Sequence, residues 1–426
     1  MDIHVVQPGD TLYRLARQYG VSMDRLIYDN QLPDPSQLVV GQTIVIRHPA
    51  LTYTVKEGDT LWSIARDQAS TVRTLLRNNP NLKGKDLIYP GQVLVIQYRD
   101  RPQGTLAVEG YAYPWIDRSL LAAVLPFQSR LIPFAHKFTP AGELLPLEDE
   151  ALRSAALQAG VAPILSLANL DEKETFSSQL AHQLLASDSA QETLIANLLE
   201  AVDRDGYRGV DADFEYVYGQ DAQGYAQFLS RLREGLSARG LPLSAALAAK
   251  IADDQPGRLY EGHDYRLIAQ AVDYALLMTY DWGYVSGPPM AVSPLPQVRQ
   301  VVEYALTHFK PEQLFLGVPN YGYDWPLPFK EGNLAKSLGN QQAVSLAWDR
   351  HAAIRFDENT QAPWYRYVAE DGREHEVWFE DARSTQAKVK LALEYGLHGV
   401  GYWNLDRPFP QGWAVLSALT NIAPGI

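Results

Sequence analysis

The sequence predicts an α/β protein: a (β/α)8 barrel with a small β-rich insertion, preceded by two small βααβ units. Three observations carry this. Eight apolar runs recur between residues 105 and 426, separated by amphipathic stretches. The runs are nearly continuous in apolar residues, as strands of a parallel sheet covered on both sides must be. Finally, the first 98 residues contain one pattern twice.

That pattern is HVVQPGDTLYRLARQYGVSMDRLIYDN at 4–30, repeated as TYTVKEGDTLWSIARDQASTVRTLLRNN at 52–79. Each copy closes on an apolar run after Gly-Gln: VVGQTIVIR (39–47) and YPGQVLVIQ (89–97). Strand, helix, helix, strand is the order these imply. Asp10 and Asp59 are expected to cap the first helices. Leu12, Leu15, Ala16 and Tyr19 follow at helical spacing. Asn30 and Asn79 are expected to end the second helices, where Asn tolerates a left-handed turn. The two copies resemble LysM modules, with bounds 1–48 and 51–98. The resemblance implies binding of N-acetylglucosamine-containing glycans in a shallow groove. Gly9, Asp10, Thr11, Leu12 and Asn30 would lie at the groove of the first, and Gly58, Asp59, Thr60, Leu61 and Asn79 at that of the second. Segments 29–33 and 78–82 would form the other edge.

RDRPQG (99–104) reads as a linker. The barrel strands follow as LAVEGYAY (106–113), RLIPFAH (130–136), VAPILSLAN (161–169) and YRGVDADFEYV (207–217). LPLSAALAA (241–249), YALLMTYDW (274–282), QLFLGVPNYGYDW (313–325) and HGVGYWNLD (398–406) complete the eight. QETLIANLLEAVDRDG (191–206) and AQFLSRLREGLSARG (226–240) are among the helices between them. A doubly wound sheet is the alternative, and no Gly-rich phosphate loop supports it. An insertion at about 326–380 separates strands seven and eight. Its alternating aromatic and polar residues, REHEVWFEDA among them, fit a small β-rich element.

In GYRGVDADFEYV, Asp211, Asp213 and Glu215 fall on every second residue within a frame of Val210, Ala212 and Phe214. On a strand such residues share a face. Like charges so close raise one another's pKa, a cost met where carboxylates do chemistry. A solvated acidic edge or a cation site is the plainer reading. The apolar surroundings disfavour the first, and alternation on a strand is unlike a flexible calcium loop. Barrel active sites form at the C-terminal ends of the strands, where this cluster falls.

DADFE followed by Tyr216, with MTYDW on strand six and GYWNLD on strand eight, resembles glycoside hydrolase family 18 over 105–426. The family pattern is DGxDxDxE; here Arg208 replaces its first Asp, which implies altered support around the working carboxylates. Phe214 stands where Trp is frequent. The resemblance implies substrate-assisted hydrolysis with retention, without metal or cofactor. Glu215 would be the general acid. Asp213 would orient the substrate's acetamido group, and Asp211 would share a proton with Asp213. Tyr280 would hold the acetamido oxygen. Asp281, Met278, Trp403, Asn320, Tyr321 and Tyr113 would contact the sugar.

The totals agree. The chain has 426 residues, 46% apolar and 20% charged, as a folded protein of several domains should. Its 24 Tyr and 9 Trp supply flat faces that suit sugar rings. Net charge is −13, and the excess acid lies beyond residue 99, which argues against a nucleic-acid partner. There is no Cys. The start has neither the basic nor the apolar region of a signal peptide, and no run is long enough to span a membrane. Two LysM modules ahead of such a barrel resemble the spore peptidoglycan hydrolases of the SleL/YaaH type. That implies a monomeric N-acetylglucosaminidase acting on spore cortex during germination, made in the mother cell and tethered to the glycan. A LysM-anchored chitinase and a non-catalytic glycan-binding protein are the alternatives.

Overall fold

The computed structural model describes residues 1–32 and 34–425. Eight parallel strands form the barrel: β1 (Gly104–Ala112), β2 (Arg130–Pro133), β3, β4 (Val210–Asp213), β5 (Leu243–Ala248), β6 (Tyr274–Met278), β7 (Leu314–Pro319) and β8 (Gly399–Trp403). β3 comes in two pieces and closes the ring. Ala162–Pro163 pairs with β2, and Leu165–Ala168 pairs with β4. Ile164 N–H donates to Leu131 and Leu165 N–H to Gly209, so the break in pairing is not a gap. Inward residues, including Tyr111, Ile132, Ala246, Leu276 and Phe315, fill the barrel. Outward residues pack on the helices in a second and larger core.

The run predicted as strand seven splits at Asn320-Tyr321. Its second half, Gly322–Pro326, leaves the barrel and starts a five-stranded antiparallel sheet with Lys336–Leu338, Arg355–Asp357, Ala362–Val368 and Glu374–Trp378. The insertion therefore begins at Gly322, earlier than expected, and it also carries a helix, Asn340–Asp349. Gly322 makes the departure possible. A Cβ there would stand 2.3 Å from the carbonyl oxygen of Trp378 on the adjoining strand. Glu380 and Asp381 brace the insertion. Glu380 pairs with Lys388 at 2.8 Å, both fully buried, and Asp381 caps the helix Ala382–Glu394.

Each N-terminal module is a strand, two helices and a strand. Thr11 and Thr60, not Asp10 and Asp59, cap the first helices. The aspartates act one residue earlier. Asp10 accepts from Gln7 N–H (2.8 Å) and from His4 Nε2 (2.8 Å); Asp59 accepts from Lys56 N–H (2.7 Å) and the Tyr53 hydroxyl (2.9 Å). Both fix the turn that delivers the threonine. Asn30 and Asn79 are not left-handed. Each is buried, with its amide stitching the second helix to the last strand. Asn79 Nδ2 donates to Leu75 and Val95 carbonyls (2.9 Å each), and its Oδ1 accepts from Val95 N–H (2.8 Å). Asn30 makes the same bonds to Leu26 and Val45. Neither amide faces a glycan groove, which corrects that assignment. Leu12 and Leu61 are likewise core residues, 3% and 2% exposed. Of segment 29–33, Pro33 lies outside the described residues.

The modules sit on the barrel. Gln411 Nε2 donates to the Thr43 carbonyl (2.6 Å) and to Asn30 Oδ1 (3.0 Å). Gly41 and Gly84 touch barrel-domain backbone so closely that a Cβ on either would stand 1.8 Å from a carbonyl oxygen, of Ile354 and Ala122 respectively. The supposed linker is pinned as well: Asp100 pairs with the Met1 amine (3.0 Å) and Arg47 (2.7 Å).

Replacing Asn79 by Ala leaves three buried backbone groups without partners, at about 1–3 kcal/mol each. The expected outcome is selective loosening of the second module. Hydrogen exchange at the Val95 amide should rise at least a hundredfold while barrel-strand amides keep their protection.

Candidate active site

β4 pairs with β3 through Leu165–Val210 to Ala168–Asp213, and with β5 through Asp211–Ser244. Its alternation is as predicted. Val210, Ala212 and Phe214 enter the outer core, and Phe214 stacks on Phe138 and Tyr225 at 5.3 Å each. The strand itself ends at Asp213, so Glu215 is held by other means. Asn169, at the end of β3, receives Glu215 N–H on Oδ1 (2.9 Å) and donates from Nδ2 to the Glu215 carbonyl (2.9 Å). This amide imitates one more step of strand pairing. From the other side His263 Nε2 donates to the Phe214 carbonyl (2.8 Å), while its Nδ1 accepts from Ala248 N–H (3.0 Å). Burial pushes His263 down to about 4, which keeps it in this neutral form.

The three carboxylates differ in their surroundings. Asp211 is fully buried and accepts from the Tyr111 hydroxyl (2.9 Å) and Ser244 Oγ (2.6 Å). Burial raises its pKa, opposed by those two bonds and by the charge of Arg130. Asp213 is buried with Oδ1 lacking any partner among the described residues. Burial first, then Glu215 and Asp211, lift its pKa well above the ordinary range. Glu215 opens partly to the cleft; burial and then the charge of Asp281 raise it to about 7.

Around them stand residues from four other strands. The ring of Tyr280, just past β6, lies over β7 because residue 317 is Gly: a Cβ there would meet Tyr280 Cε1 at 2.9 Å and the Leu277 carbonyl oxygen at 2.3 Å. Burial, then Asp213, Asp281 and Glu215, raise the Tyr280 hydroxyl far above its usual value. Asp281, with φ +61°, opens to water but is crowded within the cleft, which raises its carboxyl. It accepts from the Tyr321 (2.6 Å) and Tyr323 (3.4 Å) hydroxyls. Trp403, at the end of β8, packs edge-on against Phe134 (4.9 Å) and near Tyr111 (5.5 Å) and Tyr113 (6.1 Å). Met278 joins the same cluster. Tyr113 in turn stacks on Trp115 at 4.7 Å, and Trp115 is 76% exposed.

Two expectations are corrected. Asn320 is fully buried, and its Nδ2 donates to the carbonyls of Asn404 (2.9 Å) and Arg407 (2.7 Å). It latches the ends of β7 and β8 rather than facing a sugar. Arg208 lies at the opposite, N-terminal end of β4 with its side chain exposed, so it gives the carboxylates no support and takes none away. The sequence places Asn169 among the polar residues at strand ends without giving it a role, and it does not mark Ser244, His263 or Tyr323 as site residues. Ser244 was the one polar residue in an apolar run, and that was the available signal.

A family model described as glycosyl hydrolases family 18 matches residues 153–407. The chain belongs to glycosyl hydrolase family 18. LysM domain models match 4–47 and 53–97. The chain is 39% identical to the cortical fragment-lytic enzyme of Bacillus subtilis over 99% of both chains. The crystal structure of the Bacillus cereus spore cortex-lytic enzyme SleL superposes with a TM-score of 0.84 at 36% identity, covering 100% of this chain and 99% of that one. A chitinase from Chromobacterium violaceum is 26% identical over 74% of this chain and 98% of its own, with a TM-score of 0.69. The protein is thus a glycoside hydrolase, with a barrel of the family and two LysM modules.

Glu215, and Glu109 beneath Asp211, hold protons in the folded state that the unfolded chain releases near 4.5; burial lifts Glu109 to about 8. A raised carboxyl pKa contributes stability that is full below the unfolded value and lost as pH rises through the folded one. Stability should therefore fall from pH 5 to 8. Glu215→Gln cannot release a proton, so its melting temperature relative to the wild type should be higher at pH 8 than at pH 5. An equal difference at both pH values would show that the Glu215 pKa is not raised.

Proposed function

We propose that this protein cleaves peptidoglycan of the spore cortex, or its fragments, on the reducing side of N-acetylglucosamine, by a retaining, substrate-assisted reaction. One observation carries the chemistry: Glu215, poised near pH 7, stands beside a buried Asp213 oxygen that has no partner among the described residues. The names and full-length similarity of the cortex-lytic relatives support the choice of substrate.

A glycosidic oxygen leaves poorly unless protonated as its bond breaks, and a carboxyl acid near pH 7 is suited to that task. With the sugar seated over Trp403, the acetamido oxygen attacks the anomeric carbon as the C–O bond breaks, and Glu215 gives its proton to the departing oxygen. The free Asp213 oxygen accepts the acetamido N–H and balances the positive charge of the oxazolinium ion. Asp211, already bound by Tyr111 and Ser244, is fixed one step behind, and its charge adds to that of Glu215 in raising Asp213. The Tyr280 hydroxyl holds the acetamido oxygen in line. Water then attacks the anomeric carbon from the face the leaving group vacated, breaking its bond to the acetamido oxygen and restoring the acetamido group, while a water proton passes to the Glu215 carboxylate. Two inversions give retention. Asp281, steadied by Tyr321 and Tyr323, binds sugar hydroxyls, and Tyr113 and Met278 complete the wall. All these groups come from one chain, so a monomer suffices. The exposed Gly9, Thr11, Gly58 and Thr60 line the modules' own grooves, which hold the enzyme on cortical glycan.

Mass spectrometry of products from cortex fragments and chitin oligomers tests this. The wild type should release cortex fragments ending in reducing N-acetylglucosamine. Glu215→Gln should cut kcat by about 10²–10⁴, and Tyr280→Phe by about 10². With wild type, kcat/KM should fall as pH rises past about 7, when the free enzyme loses the Glu215 proton. Cleavage of chitin oligomers alone would make the protein a chitinase, and no cleavage with binding retained would make it a glycan-binding protein.

A further inference from the structure

Besides the three carboxylates of β4, the barrel buries another carboxylate and a cation, Glu109 and Arg130, neighbours in the register of β1 and β2. Glu109 is 1% exposed. It fits because its neighbour on β8 is Gly401, where a Cβ would stand 3.2 Å from the Glu109 Cγ and Oε1. The Arg130 side chain crosses the interior, its guanidinium over the rings of Tyr274 on β6 (4.2 Å) and Phe315 on β7 (4.9 Å). Glu109 and Arg130 do not bond to each other. Arg130 Nη1 stands 3.6 Å from Glu109 Oε2, beyond hydrogen-bond reach, and that oxygen has no partner among the described residues. Two residues along β1 on the same inward side is Tyr111, whose hydroxyl holds Asp211 at 2.9 Å.

We propose that Arg130 is a positioning residue for the reaction: it is the counterion of Asp211, and it lets the buried aspartates carry the negative charge that the oxazolinium ion needs. Burial and the neighbouring carboxylates oppose that charge, and the two hydroxyl bonds to Asp211 offset only part of the cost. Among the described residues Arg130 is the one cation that bears on Asp211, and none bears on Asp213. The other elements bring neutral groups. Tyr111 (β1), Ser166 (β3), Ser244 (β5) and Tyr280 (past β6) surround the pair, with Tyr225 behind it. β7 and β8 contribute Phe315 and Gly401. His398, at the foot of β8 and 4.5 Å from the Tyr274 ring, is pushed down to about 4 by burial and then by Arg130, so it too is neutral. Glu109 does not compete for the guanidinium. Burial lifts its carboxyl to about 8, so it holds its proton at the pH where Glu215 works as an acid. The charge of Arg130 is therefore left for Asp211 across the working range.

The inference rests on Asp211 and Asp213 being the working pair of the proposed hydrolysis, and one arm of its test needs no turnover. The full chain is compared with Arg130→Gln and Glu109→Gln. In pH profiles of kcat/KM on soluble cortex fragments, Arg130→Gln should move the acid limb upward by about 1 pH unit. Glu109→Gln should leave that limb in place, because Glu109 is already neutral there. This second profile does not depend on an Arg130 variant folding. In thermal melting, Arg130→Gln should fall further below the wild type at pH 7 than at pH 4. Without its counterion Asp211 has a folded pKa raised further above the unfolded one, and stability is lost as pH rises through it. The same widening should appear when Arg130→Gln is added to Glu109→Gln. An unmoved acid limb, a downward shift of that limb in Glu109→Gln, or a melting difference equal at both pH values would each overturn the proposal. So would a widening that disappears in the Glu109→Gln background, since Arg130 would then serve Glu109. If the wild type cleaves nothing, the hydrolase reading fails and the melting arm still decides whether Arg130 is the counterion.

Discussion

Everything at the mouth of the barrel depends on β4 having two dissimilar sides. Phe214 is wedged among Phe138, Tyr225 and Phe228 beneath the helices, and Val210 and Ala212 share that core. Slipping the strand by one residue would drive three carboxylates into this apolar layer, so the register admits no alternative. The outer core thus aims the acids. The inner side must then house them, and it does so unequally. Asp211 takes two hydroxyl bonds, Asp213 keeps a bare oxygen, and Glu215 emerges at the rim. This gradient, from satisfied to unsatisfied to accessible, gives three like groups three different environments.

Much of this was legible because it is local or periodic. The alternation of β4, the eight apolar runs and the duplicated module all sit within windows that pattern reading handles. What escaped depends on partners distant in sequence. Asn30 and Asn79 looked like helix ends, and only the return of the last strand, fifteen or so residues later, shows their amides to be rivets. Asn320 stood at a strand end in a chain where such residues usually face the ligand, but β8 arrives beside it and takes both its protons. Asp10 and Asp59 were misread for a subtler reason. Asp and the following Thr are both good caps, and the choice falls to whichever residue the preceding turn leaves in extended geometry. Glu215 shows the opposite case: the right residue was expected for an incomplete reason, since the strand stops before it and Asn169 and His263 finish the job.

The seating of the modules changes what tethering can mean. A flexible linker would let each module search independently, and affinity would follow from effective concentration. Here Asp100, Gln411 and the glycine contacts at 41 and 84 fix both modules to the catalytic domain. Their surfaces therefore stand at set distances from the cleft, and a bound glycan is presented in a limited range of positions.

Charge follows the same division. Residues 1–99 carry 11 basic and 9 acidic side chains, and the rest of the chain 26 and 41. An acidic body repels a polyanionic glycan over about 8–10 Å at physiological salt, so the cleft alone is a poor collector of such a substrate. Its own carboxylates deepen the problem, because the chemistry requires negative charge at the reacting carbon. The modules, nearly neutral and held rigidly on the barrel domain, keep their charge apart from the acidic cleft. The acidic cleft thereby keeps the crowding of like charge that raises the Asp213 and Glu215 carboxyls.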